Sequence, residues 1–124
     1  MINEAGAKIW SIPDGYYPTM SSGHFPSHEA ICVLNPGKED AVVTITLYFE
    51  DRDKMEGFKA LCKSERTNHI RMDKLKDGNG NGVPQGVPYA AMVESDRNII
   101  VQYSRMDTTQ AEMALMTTMA YPLK

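Results

Sequence analysis

Ala41-Val42-Val43-Thr44-Ile45-Thr46-Leu47-Tyr48-Phe49-Glu50-Asp51 is the stretch that decides the fold. Val43, Ile45, Leu47 and Phe49 alternate with Val42, Thr44, Thr46 and Tyr48, the period-two pattern of an antiparallel strand with one face in a core. Upstream, residues 28–35 read as a strand closed by the turn Asn35-Pro36-Gly37-Lys38, and residues 7–12 as a short strand carrying Trp10. Residues 13–26, with Pro13, Pro18, Pro26, Gly15, Gly23 and the Tyr16-Tyr17 pair, read as a loop. Downstream, Asp51-Arg52-Asp53-Lys54 makes a charged turn, and residues 58–63 and 67–73 alternate again. A Gly/Asn/Pro loop spans 77–88, and residues 89–94 and 98–105 suggest a hairpin around Ser95-Asp96-Arg97-Asn98. Residues 111–121 fit a helix through Met113, Met116 and Ala120, or a strand through Met113, Leu115, Thr117 and Met119. The strand is preferred because every preceding segment needs a β partner. Short strands at regular turns predict an all-β, single-domain antiparallel β-sandwich or jelly-roll-like barrel over residues 1–124.

Composition narrows the class. A chain of 124 residues buries about two-thirds of the surface its unfolded form exposes, enough for one core without staples. The formal charge is −3 with both signs interspersed and no basic stripe, so nucleic acid is not an expected partner. No apolar run approaches the ~20 residues of a membrane-spanning helix, and the N-terminus lacks a signal-peptide layout. Cys32 and Cys62 fall inside strand-like segments and read as two buried free thiols, which fits a cytoplasmic protein.

Residues 99–110 carry the strongest hint of a site. Alternation sets Ile99, Val101, Tyr103, Arg105 and Asp107 on one face, so an apolar strip runs into an Arg and an Asp. Such a pair either locks the fold or belongs to a recognition surface; Arg105, held by Asp107 and lying near His69 and Arg71, would form the polar end of a pocket. Tyr16, His28, Glu29, Arg66, His69, Arg71, Gln102, Arg105, Asp107 and Gln110 complete a set of groups that read planar polar ligands.

Other chemistries find less support. Asp77-Gly78-Asn79-Gly80-Asn81-Gly82 imitates the start of an EF-hand loop, but the twelfth position is Pro88 rather than a bidentate carboxylate. His24, His28, His69 and Glu29 could ligate zinc, yet His28 and Glu29 are strand neighbours that point to opposite faces, and no metal or other cofactor is expected. Ser27 beside His28 is adjacency in sequence, not a catalytic pair in space. An acid–base enzyme using His28, Glu29 or His69 is the alternative to a non-enzymatic binding module.

Trp10, Gly15-Tyr16-Tyr17-Pro18, Ser27-His28-Glu29, Cys32-Val33-Leu34-Asn35, the strand at 43–51, Arg66-Thr67-Asn68-His69-Ile70-Arg71, Val101-Gln102, Arg105-Met106-Asp107, Gln110 and Ala120-Tyr121 follow one another in an order that resembles the sensory rhodopsin transducer family. The resemblance covers nearly the whole chain. It implies a small cytoplasmic β-sandwich, similar to carbohydrate-binding and jelly-roll folds, that assembles as a homotetramer. It further implies signal transduction with a membrane receptor such as a sensory rhodopsin where one is present, or binding of a small, sugar-like ligand. The glycine- and asparagine-rich loop at 77–88 and the short segment after Tyr121 depart from the family pattern and count against rhodopsin contact.

Overall fold

Eight strands, all paired antiparallel, organise the chain in a computed structural model that describes residues 4–23, 25–108 and 114–124. They are β1 (Ala7–Tyr16), β2 (His28–Asn35), β3 (Ala41–Phe49), β4 (Met55–Cys62), β5 (Arg66–Arg71), β6 (Pro88–Asp107), β7 (Ala114–Met119) and β8 (Tyr121–Pro122), with a 3-10 turn at Met72–Lys74 after β5. One sheet has the order β4-β3-β6-β1-β8; in the other, β2 lies between β5 and β6, and β7 pairs with the far side of β6. The expected all-β sandwich is present, and β6 belongs to both of its sheets.

The period-two pattern explains the core. Val43, Ile45 and Leu47 of β3 are fully buried, and so are Ile31 and Val33 of β2. On β6 the odd-numbered Tyr89, Ala91, Val93, Ile99, Val101 and Tyr103 all turn inward. These residues join Trp10, Ile12 and Phe58 in one hydrophobic cluster, where each large apolar side chain contributes about 1.5–3 kcal/mol.

The hairpin expected at 89–105 is instead the single twenty-residue strand β6. Ser95-Asp96-Arg97-Asn98 looks like a turn by composition, but its polar groups stitch the strand to its neighbours where it leaves one sheet for the other. Asp96 Oδ1 accepts the Val42 N–H at 2.8 Å, Arg97 pairs with Glu39, and Asn98 Nδ2 donates to the Glu4 carbonyl at 2.9 Å. The loop expected from Pro13 begins later, because β1 continues to Tyr16 through a register shift between Ile12 and Gly15 that accommodates the proline. The tail is strand, as preferred, over the described residues 114–119, and Asp77 Oδ1 closes its loop on the Asn79 and Asn81 N–H groups at 2.9 and 2.8 Å.

Both cysteines are free. Cys62 is buried, with Sγ turned to the Arg66 carbonyl at 3.4 Å, and burial pushes its thiol pKa up; Cys32 is half-buried on the other side of β2. Asn35 ends β2 fully buried: Nδ2 donates to the Glu39 and Cys62 carbonyls at 2.8 and 3.0 Å, and Oδ1 accepts the Gly37 N–H at 3.0 Å. Asn35→Ala strips all three bonds, so urea denaturation should show a loss of about 2–3 kcal/mol, the cost of buried groups left unsatisfied.

Candidate functional site

Glu29, Ile31, Val33 and Asn35 are the inward residues of β2, so the strand carries a carboxylate into the core at its first turn inward. A fully buried carboxylate persists only when it is hydrogen-bonded. Glu29 accepts the Tyr16 N–H at 2.7 Å, the Tyr89 hydroxyl at 2.9 Å, and the Tyr103 hydroxyl. Tyr89 lies in the half of β6 that pairs with β3, Tyr103 in the half that pairs with β2, so one side chain ties the two sheets together. The Tyr89 ring packs against bare backbone at Gly15, where a Cβ would sit 2.4 Å from Cε1 and Cζ.

Arg105 extends this network to the surface. It pairs in register with Glu29, its Nε donates to the Tyr103 hydroxyl at 3.2 Å, and its guanidinium lies 5.9 and 5.8 Å from the Tyr16 and Tyr103 ring centroids. Among the described residues that Nε–H is the one hydrogen bond its guanidinium makes. Burial pushes the Glu29 carboxyl above its ordinary value, against the lowering effect of its three donors and the Arg105 charge. Burial and then the Glu29 carboxyl raise the Tyr103 hydroxyl, so it stays protonated and donates. Tyr103 also lines a cleft of ≈ 300 Å³ with Ile12, Asp14, Thr118 and Tyr121, and the Asp14 charge acts on Arg105.

Of the residues singled out in the sequence, Tyr16, Glu29 and Arg105 come together here. His69 and Arg71 do not join them: they pair with Cys32 and Ala30 on the outer face of β2, whereas Arg105 pairs with Glu29 on the inner one. Arg71 instead forks onto Asp73, both bonds 2.8 Å. Burial would raise the Asp73 carboxyl, but the Arg71 fork outweighs it and holds the group below its ordinary value. His28 takes the outer face at the start of β2, with Nδ1 3.0 Å from the Pro26 carbonyl. Arg66 pairs with Asn35 at the far end of β2, about 20 Å along the strand from Glu29. Gln102 sits outward between β2 and β7, and Asp107 ends β6 with the facing of Arg105; Gln110 and His24 lie outside the described residues.

Sequence reasoning missed Tyr89 and the hydroxyl role of Tyr103. The usable signal was a tyrosine inside an apolar strand, whose hydroxyl needs a buried partner, set against a glutamate in an inward register. The buried pair Ser27 and Thr108 was missed as well; Thr108 N–H donates to Ser27 Oγ at 2.9 Å and anchors the end of β6.

No cluster of three or more His, Cys, Asp or Glu side chains suited to a metal occurs among the described residues, and no helix among them is long and apolar enough to cross a membrane. Two antiparallel sheets sharing one strand, pinned by a buried carboxylate that surfaces as a tyrosine-stacked arginine, define a small β-sandwich module. The family model described as Anabaena sensory rhodopsin transducer matches residues 5–122, and the chain belongs to that family. Among solved structures it is similar to Thermotoga maritima 1070, at 36% identity and a TM-score of 0.85, with 95% of this chain and 96% of that one covered. It is also similar to the Anabaena sensory rhodopsin transducer, at 32% identity and a TM-score of 0.72, covering 81% of this chain and 98% of that one. The comparison with curated proteins returned no match.

Proposed function

We propose that this chain is a non-enzymatic binding and signalling module that works as a cytoplasmic homotetramer and takes a small, sugar-like ligand or a protein partner at the Arg105 end of the sandwich. The observation that carries the reading is the guanidinium itself. Tyr103 and the Tyr16 ring orient it at the edge of the low-dielectric interior, and the two nitrogens without a hydrogen bond among the described residues can offer donors to a hydroxyl or carboxylate. The adjoining cleft, with Asp14, Thr118 and the Tyr121 ring, supplies the mixed polar and aromatic lining that small ligands use. Asp107, one step further along the same face, is the candidate second contact. A membrane receptor such as a sensory rhodopsin, where one is present, is the candidate protein partner at this end.

Self-association is supported by β7. Ala114–Met119 is exposed along its whole length, carries no charge, and includes Leu115, Met116 and Met119. Uncharged edge strands of this kind are normally covered by pairing along the edge, which leaves the outer face of the sheet open. Light scattering at micromolar concentration should return about four times the chain mass; a monomer mass would remove the tetramer.

Arg105→Lys tests the site, since it keeps the charge and loses the fork. In a thermal-shift screen of neutral sugars and sugar acids, the wild-type protein should be stabilised by at least one compound. The Lys variant, folded and of unchanged mass, should lose that response. A Lys variant that responds like wild type would leave Arg105 a structural residue.

A further inference from the structure

The register of the second sheet sets four side chains in one row across its outer face: His69 on β5, Cys32 on β2, Gln102 on β6 and Met119 on β7. Paired positions on neighbouring strands point to the same side and lie about 4.8 Å apart, so an imidazole, a thiol, an amide and a thioether stand side by side. All four border one shallow cleft of ≈ 210 Å³. His69 and Met119 are exposed, and Cys32 is half-buried with Sγ 3.9 Å from Ser104 Oγ. No carboxylate lines this cleft among the described residues.

We propose that this row binds one soft monovalent cation, Cu(I), through Cys32, His69 and Met119. Thiolate and thioether sulfurs select Cu(I), and imidazole suits it, whereas hard divalent ions favour carboxylate ligands, which do not line the cleft among the described residues. Binding takes the thiol proton of Cys32 to solvent, and the resulting thiolate balances the charge of the ion. Met119 sits two strands from Cys32, but it is on the edge strand, and its flexible thioether can swing across Gln102 toward the thiol. The Gln102 amide oxygen then faces the ion as a weak fourth contact of the kind found axially in copper sites. The other thiol is no rival, because Cys62 is buried with its sulfur directed at backbone carbonyls. Spacing along the chain does not reveal this site, because its ligands come from three separate strands.

The test is an anaerobic titration of the full chain with Cu(I) in competition with bicinchoninate. One Cu(I) per chain should be withdrawn from the chelator. Cys32→Ser should abolish the competition, and His69→Ala and Met119→Leu should each weaken it about tenfold or more, the scale on which even supporting partners of a metal ligand act. Circular dichroism of these variants should match wild type, since none of the three side chains is in the core. The proposal is overturned if the chain withdraws no copper, or if Cys32→Ser still binds. It is equally overturned if neither His69→Ala nor Met119→Leu has an effect, which leaves a lone thiol adduct, or if the stoichiometry is half an ion per chain, which means a bridge between copies.

Discussion

Replacing Glu29 with alanine should cost about 3–5 kcal/mol of unfolding free energy, the range for removing one partner of a buried charged network. The loss comes from what remains. The Tyr89 and Tyr103 hydroxyls and the Tyr16 N–H lose their shared acceptor, and Arg105 loses the charge beneath it. Urea denaturation would read the change, and a variant within 1 kcal/mol of wild type would show that the carboxylate does not hold the sheets together. Glu29→Gln separates shape from charge and gives a pH signature. Because burial raises the Glu29 carboxyl in the folded protein, that protein keeps its proton to higher pH than the unfolded chain does. The contribution is therefore fully present below the ordinary value of 4.5 and is lost as pH rises through the raised one. The stability of wild type relative to Glu29→Gln should fall over that window and then level off. A difference independent of pH would mean that Glu29 titrates normally.

Gly15→Ala should be comparably damaging although it adds one methyl group. The new Cβ would lie 2.4 Å from two carbons of the Tyr89 ring, which is packed in the core and hydrogen-bonded to Glu29. Either the ring moves and breaks its bond, or β1 shifts away from β6; overpacking of this kind costs typically 1–3 kcal/mol, and the lost hydrogen bond adds to it. Since Gly15→Ala and Tyr89→Phe act on one contact, the double variant should lose less than the sum of the singles. Strict additivity in thermal denaturation would place the damage elsewhere.

The strands at 28–35 and 41–51 were legible because alternation alone marks a half-buried strand. Residues 89–105 were not, since nothing local in Ser95-Asp96-Arg97-Asn98 reveals that Asp96 bonds a backbone N–H 54 residues away. The site divided in the same manner. The facing of Arg105 followed from its own strand, and Glu29 from the alternation of β2. Whether His69 shares that face depends on the register between β5 and β2, which is set by packing. The polar residues marked out in the sequence therefore divide into an inner group and an outer one that only the register tells apart.

The shared strand β6 also dictates when the molecule can be assembled. Among the described residues β1 pairs with β6 and β8 alone, and β2 with β5 and β6, so neither has a partner until more than half the chain has been made. As the polypeptide leaves the ribosome, the β3–β4 hairpin can close first, and β5 can then reach back to β2 around it. β1 waits unpaired, and β2 and β3 each keep one open edge, until residues 88–107 emerge. Topologies dominated by such distant pairings fold in milliseconds to seconds rather than microseconds. A chain whose translation stalls before β6 would therefore present β1, β2 and β3 as open edges to chaperones or to other nascent chains.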